Sequence, residues 1–306
     1  MPLFEVKDNS LSYINEIPFP LERDIQKLCE SNLGTILGYK FIRSEFSVES
    51  FRIDTLSYDE KSSSFIIIEY KRDKSFSVID QGYAYLSLML NHKSDFIIEY
   101  YESTGKNLKR NDVDWSQSKV IFVSPSFTDY QKEAIGFKDL PIELWEIKQY
   151  SNKTISFNQI QTKGSLESIT TVSKDVNNIE MVTREVKVYT EDEHLGYGSD
   201  EIKELYDKIK TMILNIADDI SVKPTKVYIG FITKTNICDI AIQKKSLKIW
   251  LNAPWGEVDD LRKLARDVTS IGHHGNGAYE IQISDENELE YVISLVRQVY
   301  NKSKLN

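Results

Sequence analysis

Two cysteines, Cys29 and Cys238, stand far apart in a chain of 306 residues and without metal-ligand spacing. They read as two reduced core thiols. No stretch approaches the length of a membrane span, which excludes a helical membrane protein. The N-terminal "MPLFEVKDNSLSYINEIPF" is charged and lacks the apolar core of a secretion signal. These absences set the expectation of a cytoplasmic protein. Basic excess is also missing. Net charge is -9, and both halves of the chain are acidic. Such a chain repels phosphate backbones at long range, so a nucleic-acid site has to be a local basic groove or depend on a metal. Internal repeats are absent too. What is present is ordinary for a soluble globular protein: 41% hydrophobic and 28% charged residues, in a length suited to one large or two ordinary domains.

"PLERDIQKLCESNLGTILG" has near-helical apolar spacing with Gly38 as a stop. "YKFIRSEFSV", "SFRIDTLSYD" and "FIIIEYK" read as three strands, with the polar turn "EKSSS" between the last two. The continuous run Phe65–Ile68 suits a central strand covered on both faces. "SVIDQGYAYLSLMLNHK" reads as a helix with a serine start, Phe96–Tyr100 and Val120–Val123 as strands, "SFTDYQKEAIG" as a capped helix and "IELWEIKQY" as a strand. This order implies an α/β or α+β sheet with helices packed on it. From residue 161 to 198 the pattern weakens into a linker rich in polar residues. A second α+β domain then follows over 199–306. Its expected helices are "SDEIKELYDKIKTMILNIAD", "VDDLRKLARDVT" and "ENELEYVISLVRQVYN", around the strands "KVYIGFI", "ICDIAIQ", "SLKIWLN" and "AYEIQIS".

One constellation carries chemistry. Asp54 lies in the second strand, and Glu69 and Lys71 end the third, across the "SYDEKSSS" hairpin. A hairpin brings Asp54 near Glu69, and residues two apart on a strand share a face. Three ionisable groups converging on one end of a sheet are costly to bury unless something neutralises them. A divalent cation held by Asp54, Glu69 and the Tyr70 carbonyl does so, with an oxygen shell suited to Mg²⁺. Such a cation activates water and offsets charge on a phosphodiester transition state, with Lys71 orienting the water. Gln81 and Tyr85, four apart on the next helix, share its face. Glu22 on the first helix is an outer ligand or a partner for Lys71.

Asp54, Glu69-Tyr70-Lys71, Gln81 and Tyr85 resemble the D…E-x-K…Q-x-x-x-Y pattern of PD-(D/E)xK nucleases, the restriction-endonuclease-like superfamily. The strings "LERDIQKLCESNLGTILGYKFIRSEF", "RIDTLSYDEKSSSFIIIEYKRDKSFSVIDQGYAYL" and "HKSDFIIEY" are similar to its NucS-like branch over roughly residues 18–155. Relatives carry glycine before Arg-Ile-Asp, where this chain has Ser50-Phe51. The resemblance implies a restriction-endonuclease-like mixed sheet flanked by helices over residues 1–160. It implies a Mg²⁺- or Mn²⁺-dependent endonuclease acting on DNA in preference to RNA, in repair or defence. Asp54, Glu69, Lys71 and Gln81 would be catalytic, with Glu22 and Tyr85 in support. Residues 199–306 resemble an uncharacterised domain fused to such modules. The label "predicted transport protein" attached to some of these chains finds no membrane segment here.

Arg72 and Lys74, in "KRDK", are candidates to track phosphate near the site, and Arg52 is weighed between a phosphate contact and a sheet-covering side chain. "KNLKR" reads as a solvated loop. His273-His274 raise a metal site but bring no third ligand, which favours a structural loop. Two rivals to the nuclease stand: a catalytically silent nucleic-acid-binding protein on the same fold, and a ligand-sensing or scaffolding protein acting through the second domain. A second copy of the chain is a candidate partner, and no membrane partner is expected.

Overall fold

The Phe65–Ile68 run is fully buried, and its alternation assigns each residue to one of two separate cores. The computed structural model describes residues 2–72, 77–137, 140–161, 182–233 and 235–304. The chain divides into two units, Met1–Val188 and Tyr189–Asn306.

In the first unit, strands β1 (Leu3–Lys7) and β2 (Ser10–Ile14) form a separate hairpin. The main sheet contains β3 (Glu16–Ile17), β4 (Lys40–Val48), β5 (Phe51–Asp59), β6 (Ser64–Tyr70), β7 (Lys119–Ser124) and β8 (Ile142–Tyr150), in the order β3-β8-β7-β6-β5-β4, with β9 (Ile155–Gln159) also on β8. The β4-β5-β6 steps are antiparallel, while β6-β7 and β7-β8 are parallel. Helices α1 (Glu22–Ser31) and α2 (Leu33–Ile36) cover one face, where Ile25, Cys29 and Leu33 meet Ile66, Ile68 and Tyr70. Helices α3 (Val78–Asn91) and α4 (Lys93–Thr104) cover the other, where Leu86, Met89 and Phe96 meet Phe65 and Ile67. A third, α5 (Asp129–Ala134), is capped by Thr128 through a reciprocal bond with Gln131. This mixed sheet flanked by helices is of the α/β class expected. One element differs: Phe96–Tyr100 lies in helix α4, not in a strand. Its buried residues are Phe96, Glu99 and Tyr100, at helical spacing, and a five-residue apolar run does not by itself separate the two periods.

Of the stretch read as a linker, residues 162–181 lie outside the described residues. Val182 and Val186 are buried in the α3 core, and α6 (Glu191–Leu195) follows within the second unit.

The second unit is an antiparallel sheet of β10 (Ser221–Pro224), β11 (Ile229–Ile232), β12 (Asn236–Gln243), β13 (Ser246–Leu251), β14 (Arg266–Asp267) and β15 (Tyr279–Ile283), ordered β10-β11-β12-β13-β15-β14. Helices α7 (Asp200–Leu214) and α8 (Leu289–Ser303) bury their apolar stripes against it. The helix expected over "VDDLRKLARDVT" does not form. Leu261, on its supposed apolar face, is 82% exposed. Asp260 accepts the Ala265 N–H at 2.8 Å and the Tyr291 hydroxyl at 2.8 Å, which holds the segment as turns leading into β14.

Gly277 sits in this sheet's least forgiving turn, at φ +85°, where a Cβ would lie 1.9 Å from the Leu251 carbonyl oxygen. Gly277→Ala should therefore cost about 3 kcal/mol. Chemical denaturation of the full chain measures this, and an unchanged midpoint would refute the close approach.

Candidate active site

The site forms where two paired strands part. The β5–β6 ladder runs from Asp59↔Ser64 to Thr55↔Ile68 and stops there. β6 continues against β7 through Tyr70↔Val123, and the Lys71 N–H donates to the Val123 carbonyl at 2.9 Å. On the β5 side the Tyr70 N–H instead donates to Asp54 Oδ2 at 3.0 Å. A side-chain carboxylate thus takes the place of a main-chain acceptor. In extended backbone a residue's N–H and C=O point the same way, so the Tyr70 carbonyl also faces the parted strands.

Alternation along β6 sends Ile66, Ile68 and Tyr70 to the α1 side and leaves Glu69 on the α3 side with Phe65 and Ile67. Glu69 is buried. Its Oε1 accepts Lys71 Nζ at 2.7 Å and Gln81 Nε2 at 3.1 Å, while its buried Oε2 has no hydrogen-bond partner. Gln81 also donates to the Tyr85 hydroxyl at 3.2 Å, and that hydroxyl donates to the Arg52 carbonyl at 3.4 Å. The Gln81–Tyr85 pair therefore ties β6 to β5 across the gap. Two local features place it. The Ser77 side chain caps α3 by accepting the Asp80 N–H, and Gly82 lets the helix approach the sheet. A Cβ at position 82 would lie 2.4 Å from Ile142 Cδ1.

Burial first, and then the charge of Glu69, push Asp54 up from its ordinary 3.8 to about 7; Tyr70 N–H and Lys71 oppose the rise without cancelling it. Burial and Glu69 likewise raise the Tyr85 phenol, which stays a donor at neutral pH. From the first turn of α1, Glu22 Oε2 accepts the Arg72 N–H at 2.9 Å, clamping the backbone just after Lys71, and its charge adds to the pressure on Asp54. The Arg72 guanidinium donates to the Pro20 carbonyl. Arg52 is exposed and pairs with Glu45 at 2.7 Å. Lys74 lies outside the described residues.

Sequence reasoning missed Gln26. This buried side chain shares its amide hydrogens among the Asp54 carbonyl at 3.0 Å, Glu30 at 3.1 Å, Glu45 at 3.1 Å and Ser44 at 3.2 Å. The available signal was its place four residues after Glu22 and four before Glu30, on one helix face. Among the described residues no group of three or more His, Cys, Asp or Glu side chains is arranged to hold a metal. Asp54 and Glu69 are a two-carboxylate set, and a cation there would take its other oxygens from backbone and water. In the second unit the His273 ring nitrogens lie 2.8 Å and 2.9 Å from the Ile271 and Gly277 carbonyl oxygens, so that histidine braces its own loop. No helix among the described residues is long and apolar enough to cross a membrane.

Comparison with known proteins places the chain. An uncharacterized protein of Haemophilus influenzae is 51% identical over 298 residues, covering 97% of this chain and 99% of that one. The chain belongs to the same family as that protein. Residues 191–303 match the family described as Domain of unknown function (DUF5655). Among solved structures, a repair endonuclease from Pyrococcus abyssi is similar at 21% identity and TM-score 0.22, covering 40% of this chain and 45% of that one. EndoMS bound to double-stranded DNA is similar at 17% identity and TM-score 0.24, covering 48% of this chain and 64% of that one. The chain spans less than two thirds of either structure's length.

The Asp54 shift has a defined sign. In the unfolded chain the group ionises near 3.8 and in the folded one near 7. Folding therefore takes up a proton between these values, and this contribution to stability is lost as pH rises from about 4 to about 7. After discounting for residual solvent, Asp54→Asn should stabilise the metal-free protein by about 2 kcal/mol at pH 8 and leave it unchanged near pH 4. Urea melts at the two pH values read the difference. Equal effects at both would show that Asp54 carries no such burden.

Proposed function

We propose that the first unit is a Mg²⁺- or Mn²⁺-dependent endonuclease of the restriction-endonuclease-like type, NucS-like in its residue pattern, that hydrolyses phosphodiester bonds in DNA. One observation carries this reading. Glu69 keeps a buried carboxylate oxygen without a hydrogen-bond partner, beside an Asp54 whose ionised form is disfavoured. A stabilising core would pair or remove such groups; a site that receives a cation leaves them as they are.

Asp54, Glu69 and the Tyr70 carbonyl would hold the ion, which when bound supplies charge neutralisation at the scissile phosphate and a more acidic water. Lys71, held on Glu69, stands at the mouth of the site, where its ammonium orients the attacking water and offsets charge developing on the phosphate oxygens. Gln81 fixes the Glu69 rotamer, and Tyr85 anchors Gln81. Glu22 sets the path of the chain at Arg72. Arg52, Arg72 and Lys74 would contact phosphates flanking the cut. In this reading the nuclease module occupies residues 1–160 and a separate recognition domain occupies 199–306.

The test uses the full chain with plasmid, linear, branched and single-stranded DNA, in Mg²⁺, Mn²⁺ or chelator. Cleavage should require the metal. Glu69→Gln and Lys71→Ala should each reduce it by at least 100-fold, and Gln81→Ala by about 10-fold. Calorimetric Mg²⁺ binding should strengthen as pH rises through 7 and vanish in Glu69→Gln. Cleavage that survives in both site variants would sink the assignment. Metal and DNA binding with no cleavage would point to the catalytically silent relative instead.

A further inference from the structure

Among the described residues, Glu45 alone carries a side chain at positive φ inside a strand. Its φ is +54°, in the left-handed region that a Cβ disfavours, and it lies midway along β4. The β4–β5 ladder runs Ser44↔Thr55 and then Phe46↔Ile53, and it skips Glu45 and Asp54 between them. β5 loses its alternation at the same level: Ile53 and Leu56, three apart, both point into the α3 core. The Asp54 carbonyl, passed over by β4, accepts Gln26 Nε2 from α1 at 3.0 Å. The same buried nitrogen lies 3.1 Å from Glu45 Oε1, and Glu45 Oε2 pairs with Arg52 Nε at 2.7 Å. On the other edge of β5 the ladder to β6 ends at Thr55↔Ile68, and the Tyr70 N–H takes the Asp54 carboxylate instead. Asp54 thus stands outside both neighbouring ladders, with a side-chain hydrogen bond holding it on each side.

We propose that Glu45 and Gln26 are positioning residues that turn the Asp54 carboxylate into the gap between β5 and β6, toward Glu69 and the cation the pair would hold. The left-handed backbone at Glu45 takes the β4 main chain away from Asp54. Gln26 supplies the donor that the ladder withholds, so the Asp54 carbonyl is not left unsatisfied. An unbroken ladder would keep Asp54 in strict alternation, with its side chain standing off one face of the sheet. Released from it, the carboxylate reaches the Tyr70 N–H and feels the charge of Glu69. A disfavoured backbone conformation persists only where its surroundings hold it, and such residues cluster at ligand sites. Here Gln26 and Arg52 supply the hold by gripping the two oxygens of the Glu45 carboxylate. The inference rests on reading Asp54 and Glu69 as a cation site, and it adds the residues that shape that site from β4 and α1.

Amide hydrogen exchange of the metal-free full chain, read by NMR, tests the geometry first. The Tyr70 amide reports on Asp54, and the Lys71 amide, bonded to the Val123 carbonyl on the β7 side, is the internal control. In Gln26→Leu the Tyr70 amide should exchange about 10-fold faster while the Lys71 amide keeps its rate. Glu45→Val, which favours extended backbone, should do the same without lowering the thermal midpoint. Glu45→Gly, which takes positive φ freely, should leave the Tyr70 amide protected. Calorimetry should then show Mg²⁺ bound about 10-fold more weakly by Gln26→Leu and Glu45→Val, and at nearly unchanged affinity by Glu45→Gly. An unaltered Tyr70 amide in Gln26→Leu, an acceleration shared equally with Lys71, or a Glu45→Gly protein as impaired as Glu45→Val would each overturn the proposal. If the unsubstituted chain binds no Mg²⁺ while the Tyr70 amide still responds selectively, the cation-site reading fails and the positioning of Asp54 is upheld.

Discussion

The site depends on a hydrogen bond between the Tyr70 N–H and the Asp54 carboxylate. It stands where the β5–β6 ladder would have continued, and it lets the two strands part without leaving a buried donor unsatisfied. The parted strands then hold two carboxylates close together at the end of an apolar sheet. Neither burial nor like charge favours them there, and the rise of Asp54 to about 7 expresses that strain. The sheet tolerates it because β6 is buried along its whole length and is anchored on its other edge by β7.

Two helices brace the opening from opposite faces. From α3, Gln81 and Tyr85 join Glu69 to the Arg52 carbonyl, reaching them because Gly82 brings the helix close to Ile142. From α1, Gln26 holds the Asp54 carbonyl and Glu22 holds the Arg72 N–H. Each carboxylate therefore sits between backbone positions that are fixed independently, which is what a preorganised site requires. Lys71 is bound directly to the pair, through Glu69, and its single charge faces two carboxylates.

Much of this was legible before the fold was known. Strand periodicity put Glu69 and Lys71 on one side, a short polar turn returned β6 alongside β5, and helical spacing joined Gln81 to Tyr85. These are short-range regularities, set by residues a few positions apart. Gln26 was legible only as a polar residue sharing a helix face with Glu22 and Glu30; its partners on β4 and β5 were not, because they lie far away in the chain. The helix at Phe96–Tyr100 and the turns at 257–265 failed for a related reason. Short apolar runs fit more than one period, and the choice fell to packing in the first case and to Asp260 hydrogen bonds in the second.

By itself, then, the sequence determined the class of sheet and the identity of the charged cluster, since these follow from alternation and spacing along the chain. Only the tertiary structure decided that the ladder stops at Thr55, that one oxygen of Glu69 is left without a partner and that Asp54 resists ionisation. Those properties come from burial and from charges brought together across long separations. Burial and long-range charge are properties of the packed molecule, and no local pattern encodes them.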